Sequence, residues 1–229
     1  MLTRKLISSG EYLQQFSELP EELRWPHQRI LQSLDDTMRA RPDTGDVWLY
    51  GYGSLIWNPL LEFQAQQAAA LDGWHRSFCL RMVAGRGSHD APGRMLALEP
   101  GGHTQGVAFR IAVDKLEQEL PMIWVREMVL GSYVPMWLPV ALADGARVNA
   151  LVFVAERDRS QFESDSSVAT VAPLIAAASG VYGSNADYVF KLSFALADRG
   201  FTDDYVEALA CELRRICSGR GHDASRDLP

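Results

Sequence analysis

Leu49-Tyr50-Gly51-Tyr52-Gly53-Ser54-Leu55-Ile56-Trp57-Asn58 runs from an apolar segment straight into two glycines, a serine and a tryptophan. Val47 to Tyr50 has the apolar, aromatic make-up of a buried strand. The strand is expected to end at the glycines. With no Cβ, the main chain there can take positive φ and be approached closely by other groups. Successive N–H groups in such a turn can converge on one anionic oxygen. The turn is therefore either a ligand cradle or a plain turn packed by aromatics, and the residues alone leave both open.

Spacing narrows the ligand. A dinucleotide-binding turn would need a third glycine where Ile56 stands, and Asn58-Pro59 prevents the long helix that follows such a turn. The Gly-Lys-Ser/Thr ending of a phosphate-binding P-loop is absent. Around Ser54, Tyr52 and Ile56 stand where a Gly-x-Ser-x-Gly nucleophile elbow needs glycines.

Outward from this turn, Ser17 to Arg41 has a helical pattern with Leu23, Ile30, Leu31 and Leu34 as apolar positions. Pro20 suits its start, and Pro26 is a kink or restart. Arg41 to Asp46 reads as a linker. Downstream, Arg76–Met82, Arg94–Glu99, Gln105–Ile111, Tyr133–Val140 and Arg147–Val154 read as strands separated by Gly, Pro, Asp and Asn. One helix interrupts them: Asp114 and Glu117 fit a capping box, Pro121 kinks or restarts the helix, and Gly131 stops it. After Ser160 the pattern is helical. Thr170–Ser179 ends at Gly180; Asn185–Asp198 is capped by Asn185 and ends at Gly200; Asp203–Cys217 carries Tyr205, Leu209, Leu213 and Ile216 on one stripe. This divides the chain into an N-terminal helical extension and linker (1–46), a main domain (47–217) and a polar tail (218–229). Strands gathered in one region and helices in another predict an α+β fold, a small closed mixed β-barrel with peripheral helices.

At 229 residues the chain can bury a substantial single core. A net charge of −7 disfavours a nucleic-acid partner, which would need concentrated Lys and Arg. Charges break every apolar run well short of a membrane span, so no membrane partner is expected, and Arg4-Lys5 is not followed by the apolar stretch of a signal peptide. Cys79, Cys211 and Cys217 are an odd set without Cys-x-x-Cys spacing. That argues against a zinc module or disulfide framework and for a reducing cytoplasm. The five histidines are scattered. His89-Asp90, between Gly87 and Pro92, reads as a solvated loop rather than a metal pair.

Glu127 is the second candidate for chemistry. In helix, Ile123 and Trp124 lie four and three residues before it and flank it on one face, while Arg126 points elsewhere. A carboxylate within an apolar stripe has a raised pKa, which suits a general acid/base near neutrality. Its alternative is a partly buried Glu paired to an Arg. Tyr133, after Gly131-Ser132, either hydrogen-bonds a ligand or Glu127, or is an ordinary strand aromatic. Arg76, Arg81, Arg86 and Arg94 could each grip a carboxylate, with solvated surface as the more economical reading. Trp48, Trp57, Trp74, Trp124 and Trp137 read as core or cleft walls.

Taken in order, these pieces resemble the ChaC-like gamma-glutamylcyclotransferases. The resemblance rests on Tyr52-Gly53-Ser54-Leu55-Ile56-Trp57 after a strand, Gly73-Trp74-His75-Arg76-Ser77-Phe78, and Arg86-Gly87 followed by Pro92-Gly93-Arg94. It continues through Trp124-Val125-Arg126-Glu127-Met128, Gly131-Ser132-Tyr133, Gly183-Ser184-Asn185-Ala186-Asp187-Tyr188 and a Gly200…Asp203-Asp204 segment, over roughly Val47 to Arg215. The gap between Arg126-Glu127 and Gly131-Ser132-Tyr133 is similar to that of the longer bacterial branch. The resemblance implies a small β-barrel with peripheral helices, and a reaction that splits glutathione into 5-oxoproline and Cys-Gly. It places the acid/base glutamate on Glu127 and the substrate loop on Gly51, Tyr52, Gly53, Ser54, Leu55 and Ile56; the reading of the residues adds Tyr133 as a candidate substrate contact. The substrate's own α-amine would close the ring, so neither metal nor cofactor is called for. Two other functions remain open at this level: a cyclotransferase for gamma-glutamyl amino acids or gamma-glutamylamines, and a non-enzymatic gamma-glutamyl-peptide binding module. Oligomeric state is not legible.

Overall fold

The computed structural model describes residues 2–223, with side chains through Ser218. The apolar run forms β1 (Val47–Gly51), buried except at Trp48. It pairs antiparallel with β3 (Gly93–Ile111), Val47 opposite Ile111 and Gly51 opposite Val107. It also pairs parallel with β5 (Arg147–Ala155) through Trp48–Ala150 and Leu49–Leu151. β4 (Tyr133–Leu142) runs antiparallel to β5, from Tyr133–Ala155 to Ala141–Arg147. β4 also pairs antiparallel with β2 (Ala65–Met82) at Ala69–Leu142. The order β1-β3-β2-β4-β5 closes into a barrel, which leaves no unpaired edge in that sheet. Leu49, Phe109, Val140 and Leu151 are fully buried. The α+β barrel with helices read from the sequence is the observed fold.

Several boundaries differ from expectation for local reasons. Arg94–Glu99 and Gln105–Ile111 are parts of one strand, β3, because Pro100-Gly101-Gly102 bends it without ending it. Arg76–Met82 is likewise the end of the longer β2. The N-terminal region is not one helix. Two short helices, α1 (Arg4–Ser8) and α2 (Glu11–Gln14), precede a 3-10 turn at Glu21–Leu23. α3 (His27–Arg39) then starts behind Pro26, with Ile30 and Leu34 buried. Leu31 is only half-buried.

α4 (Leu116–Met128) carries Pro121 inside it. Asp114 does not cap it; a 3-10 turn occupies Val113–Lys115, and Asp46 accepts the Val113 N–H at 3.0 Å. The ladder explains the exchange: Val47 lies opposite Ile111, so the residue before β1 arrives at the end of β3.

The described chain divides into two compact units. One joins the residues up to His75 with Ala97–Phe162; the other joins Arg76–Leu96 with the residues from Glu163 onward. Within the second, α5 (Val168–Ala177) leads through a hairpin of β6 (Ser179–Gly180) and β7 (Gly183–Ser184) to α6 (Asn185–Asp198) and α7 (Asp204–Asp223). Ser184, not Asn185, caps α6, its Oγ accepting the Asp187 N–H at 3.1 Å. Asn185 is fully buried instead, its amide accepting from the Arg94 N–H at 2.7 Å and donating to the Arg94 carbonyl at 3.0 Å. α7 continues past Cys217 to Asp223, and residues 224–229 of the expected tail lie outside the described residues.

Candidate active site

The turn after β1 is held from both sides. At Gly51 a Cβ would press on the Leu55 Cβ at 2.9 Å and on the Phe109 ring at 3.0 Å, so the close approach expected of the glycine is real. The Tyr52 hydroxyl donates to the Phe153 carbonyl of β5 at 2.7 Å, fastening the turn to the barrel wall. Ser54–Ile56 is a 3-10 turn in which the Ile56 N–H meets the Gly53 carbonyl and the Asn58 N–H meets the Ser54 carbonyl, each at 2.9 Å. The side chains of Leu55 and Ile56 are buried, so these residues can offer a ligand only main chain. Among the described residues, the N–H groups of Gly53, Ser54 and Leu55 make no hydrogen bond to a protein acceptor. They are adjacent bare donors of the kind an anionic oxygen occupies.

Glu127 stands in the last turn of α4, its side chain only 16% exposed, with Ile123 and Trp124 buried on the same helix. Burial pushes its carboxyl above the usual carboxylate range, and the nearby Arg126 charge opposes that rise. Arg126 does not point elsewhere. Its side chain is 6% exposed, and its Nε lies 3.0 Å from Glu127 Oε1. Nη1 donates to the Asn58 and Pro59 carbonyls at 2.7 and 3.1 Å, and Nη2 to Ser54 Oγ at 2.8 Å. Helical spacing misses this because a guanidinium forks its donors across several acceptors at once, and here most of them come from the turn some seventy positions earlier. One cation thus fastens Glu127 to the turn. The two sequence readings of Glu127, apolar carboxylate and Arg-paired carboxylate, both describe it.

Tyr133 begins β4 opposite Ala155, and its ring meets that of Phe153 edge-on at 6.5 Å. Phe153 also receives the Trp124 ring at 5.2 Å and the Tyr52 hydroxyl. It is the point at which the turn, α4 and the start of β4 converge. Gly131, between α4 and β4, has φ +59°, and a Cβ there would overlap the Trp25 indole.

In the second unit Arg76 is buried and paired to Asp203 at 2.8 Å, and Arg94 is buried and paired to Glu163 at 3.3 Å. Arg86 is half-buried, donating to the Ser184 carbonyl at 2.8 Å. The surface reading holds for Arg81, which is exposed; Arg76 and Arg94 are buried in β2 and β3, and Arg86 is tied to the β7 carbonyl. His89 and Asp90 are fully exposed. Among the described residues no group of three or more His, Cys, Asp or Glu is placed to hold a metal ion. No helix there is long and apolar enough to cross a membrane, and none of the three cysteines is in a disulfide.

The sequence reading missed Arg126 as the link between turn and glutamate, and the contacts of the N-terminal segment on α4. Adjacency of Arg to a buried Glu was the available signal for the first; the second left none.

Against known proteins, the ChaC-like protein family matches residues 47–216. The Glutathione-specific gamma-glutamylcyclotransferase of Escherichia coli (strain K12) is 45% identical over 216 residues, covering 94% of each chain. Gamma-glutamylcyclotransferase 2-3 of Arabidopsis thaliana is 31% identical over 181 residues, covering 75% of this chain and 90% of that one. The crystal structure of a gamma-glutamyl cyclotransferase specific to glutathione from yeast aligns with a TM-score of 0.69 at 23% identity, over 75% of this chain and 97% of that one, and shares the fold.

Proposed function

The chain belongs to the ChaC-like protein family, and we propose that it is a cytoplasmic gamma-glutamylcyclotransferase that splits glutathione into 5-oxoproline and Cys-Gly. The observation that carries the proposal is the tie between a mostly buried glutamate and a turn of bare amides, made by the single guanidinium of Arg126. The name of the E. coli relative supports glutathione as substrate. Three cysteines without a disulfide among them suit a reducing compartment.

The reaction is an intramolecular acyl transfer. Glu127 takes a proton from the substrate's α-ammonium, because the protonated amine has no lone pair with which to attack. The amine nitrogen then bonds to the γ-carbonyl carbon and closes a five-membered ring. The tetrahedral intermediate collapses as the bond from that carbon to the cysteinyl nitrogen breaks and Glu127 returns its proton to the leaving nitrogen; the ring nitrogen then sheds its second proton, which also passes to that nitrogen, so the lactam leaves with one N–H and Cys-Gly leaves as the ammonium. Atoms balance without water, metal or redox partner.

Tethering does much of the work, since intramolecular nucleophiles reach effective molarities of about 10⁵ M or more. The protein must fold the gamma-glutamyl chain so that its ends meet. The amides of Gly53, Ser54 and Leu55 grip the α-carboxylate and stabilise the oxyanion, with Tyr133 lining the same site; an oxyanion donor is typically worth about 3 kcal/mol. A carboxylate with a raised pKa is a stronger base than an exposed one, which suits it to an ammonium near neutral pH. The Arg126 charge opposes that rise. Ser54 accepts a hydrogen bond from a cation, an arrangement that positions the turn and does not raise its nucleophilicity.

The test is incubation with glutathione and measurement of Cys-Gly and 5-oxoproline, alongside gamma-glutamylalanine. Equimolar products from glutathione alone are the expected result. Faster turnover of gamma-glutamylalanine would transfer the assignment to the amino-acid cyclotransferases. Binding of glutathione without either product would leave a binding module.

A further inference from the structure

α4 ends where Gly131 turns the chain, so the carbonyls of its last turn lack the amides that a longer helix would supply. Two of them are met by the N-terminal segment, which lies outside residues 47–216. The Tyr12 hydroxyl donates to the Arg126 carbonyl at 3.2 Å in a buried contact. The Trp25 N–H donates to the Val129 carbonyl at 2.8 Å. Tyr12 is 7% exposed and packs edge-on against Phe16 at 5.1 Å, so its ring is fixed independently of its hydroxyl.

The Arg126 carbonyl is not a neutral point of attachment. It lies in the rigid peptide plane that ends at the Cα of Glu127. Holding that oxygen fixes where the Glu127 side chain starts, and on the other side of the same plane it fixes the origin of the Arg126 guanidinium that spans Glu127 and Ser54. We infer that Tyr12 is a positioning residue for the reaction: its phenol, delivered by the N-terminal segment, sets the peptide plane from which Arg126 and Glu127 project. The inference rests on Glu127 being the acid/base group. Arg4, at the opposite end of α4, binds Glu119 through two hydrogen bonds of 2.7 and 2.8 Å and anchors the fold without touching this plane.

The experiment compares Tyr12→Phe with Arg4→Met. Each is assayed for 5-oxoproline formation from glutathione at a temperature where it is fully folded, with Tm measured in parallel. Tyr12→Phe keeps the ring and removes the donor. Its kcat should fall about tenfold, the scale of a small misplacement of a catalytic group, with KM within about twofold of wild type and Tm within a few degrees. Arg4→Met should lower Tm more and keep the wild-type kcat. A wild-type kcat in Tyr12→Phe, a change confined to KM, or a fall in kcat that tracks Tm across both variants overturns the inference. Glu127→Gln separates this from failure of the underlying reading. If that variant turns over, Glu127 is not the acid/base group. If it is inactive while Tyr12→Phe is unimpaired, only the role of Tyr12 is lost.

Discussion

The first and last turns of α4 each hold a buried glutamate, and the two are opposites. Glu119 has a fully buried side chain that receives both terminal nitrogens of Arg4 and the Glu62 N–H at 3.0 Å. Burial alone would raise its carboxyl, but the Arg4 hydrogen bonds, the Glu62 N–H and the charges of Arg4 and Lys115 outweigh it and hold it below the usual range. Glu127 faces one arginine nitrogen at 3.0 Å, and its carboxyl rises. Burial does not make a carboxylate chemical. What distinguishes Glu127 is that its lone pairs are under-used and that its one partner also holds a turn of bare amides.

The sharpest way to break this contrast is to remove each charge in turn. Glu127→Gln should lower kcat for 5-oxoproline formation by about 10³-fold, within the range of a positioned acid/base group, with KM for glutathione little changed. Turnover within tenfold of wild type would show that the two glutamates are not chemically different. Arg126→Lys is the next largest effect. Lysine keeps the charge but lacks the fork that spans Glu127, Ser54 and the Asn58 and Pro59 carbonyls. Loss of about 3 kcal/mol of transition-state stabilisation, seen in kcat/KM, is expected, comparable to losing one oxyanion donor.

Stability should show the same opposition with reversed sign. Glu119→Gln leaves Arg4 facing an amide and should lower unfolding free energy by about 3 kcal/mol, the low end for breaking a buried pair, because Arg4 itself is 34% exposed. Thermal denaturation checks it. Glu127→Gln should raise Tm at pH 7, since burial raises the folded carboxyl above its unfolded value and ionising it therefore costs more in the folded state than in the unfolded one. A lower Tm would mean that the Arg126 contact outweighs burial.

The pH dependence gives the smallest and most specific effect. The depressed carboxyl of Glu119 contributes stability that is present above its unfolded pKa of about 4.3 and is lost as pH falls through its lower folded value. The raised carboxyl of Glu127 contributes stability that is fully present below that unfolded value and is lost as pH rises through the higher folded one. Acid titration of wild type against Glu119→Gln should therefore show a shallower decline below pH 4 in the variant.

The parts of the site that lie in one run of sequence were legible. The turn announces itself by glycines after an apolar run, and Glu127 by its place in an apolar helical stripe. Strand positions were half legible: β4 and β5 stood out, whereas Pro100-Gly101-Gly102 looked like a break and lies within β3. The parts made by distant residues were not legible. Asp46 replaces Asp114 as acceptor because the barrel ladder brings it there, and Ser184 replaces Asn185 as cap because Asn185 is taken up by Arg94. Helical spacing turns Arg126 away from Glu127, and only the Ser54–Pro59 segment folded against it shows where its guanidinium goes.

Gly131 has one more consequence. Its φ of +59° and the Trp25 indole against its missing side chain fix both what stands there and how many residues stand around it. Adding one residue between Met128 and Tyr133 would either drive a side chain into Trp25 or advance β4 by one place against β5. Because a strand alternates faces, that single step would turn Tyr133 away from Phe153 and put Ser132 in its place. The length of this connection is therefore under the same constraint as its composition. Related chains that differ in length here must differ also in what covers the glycine.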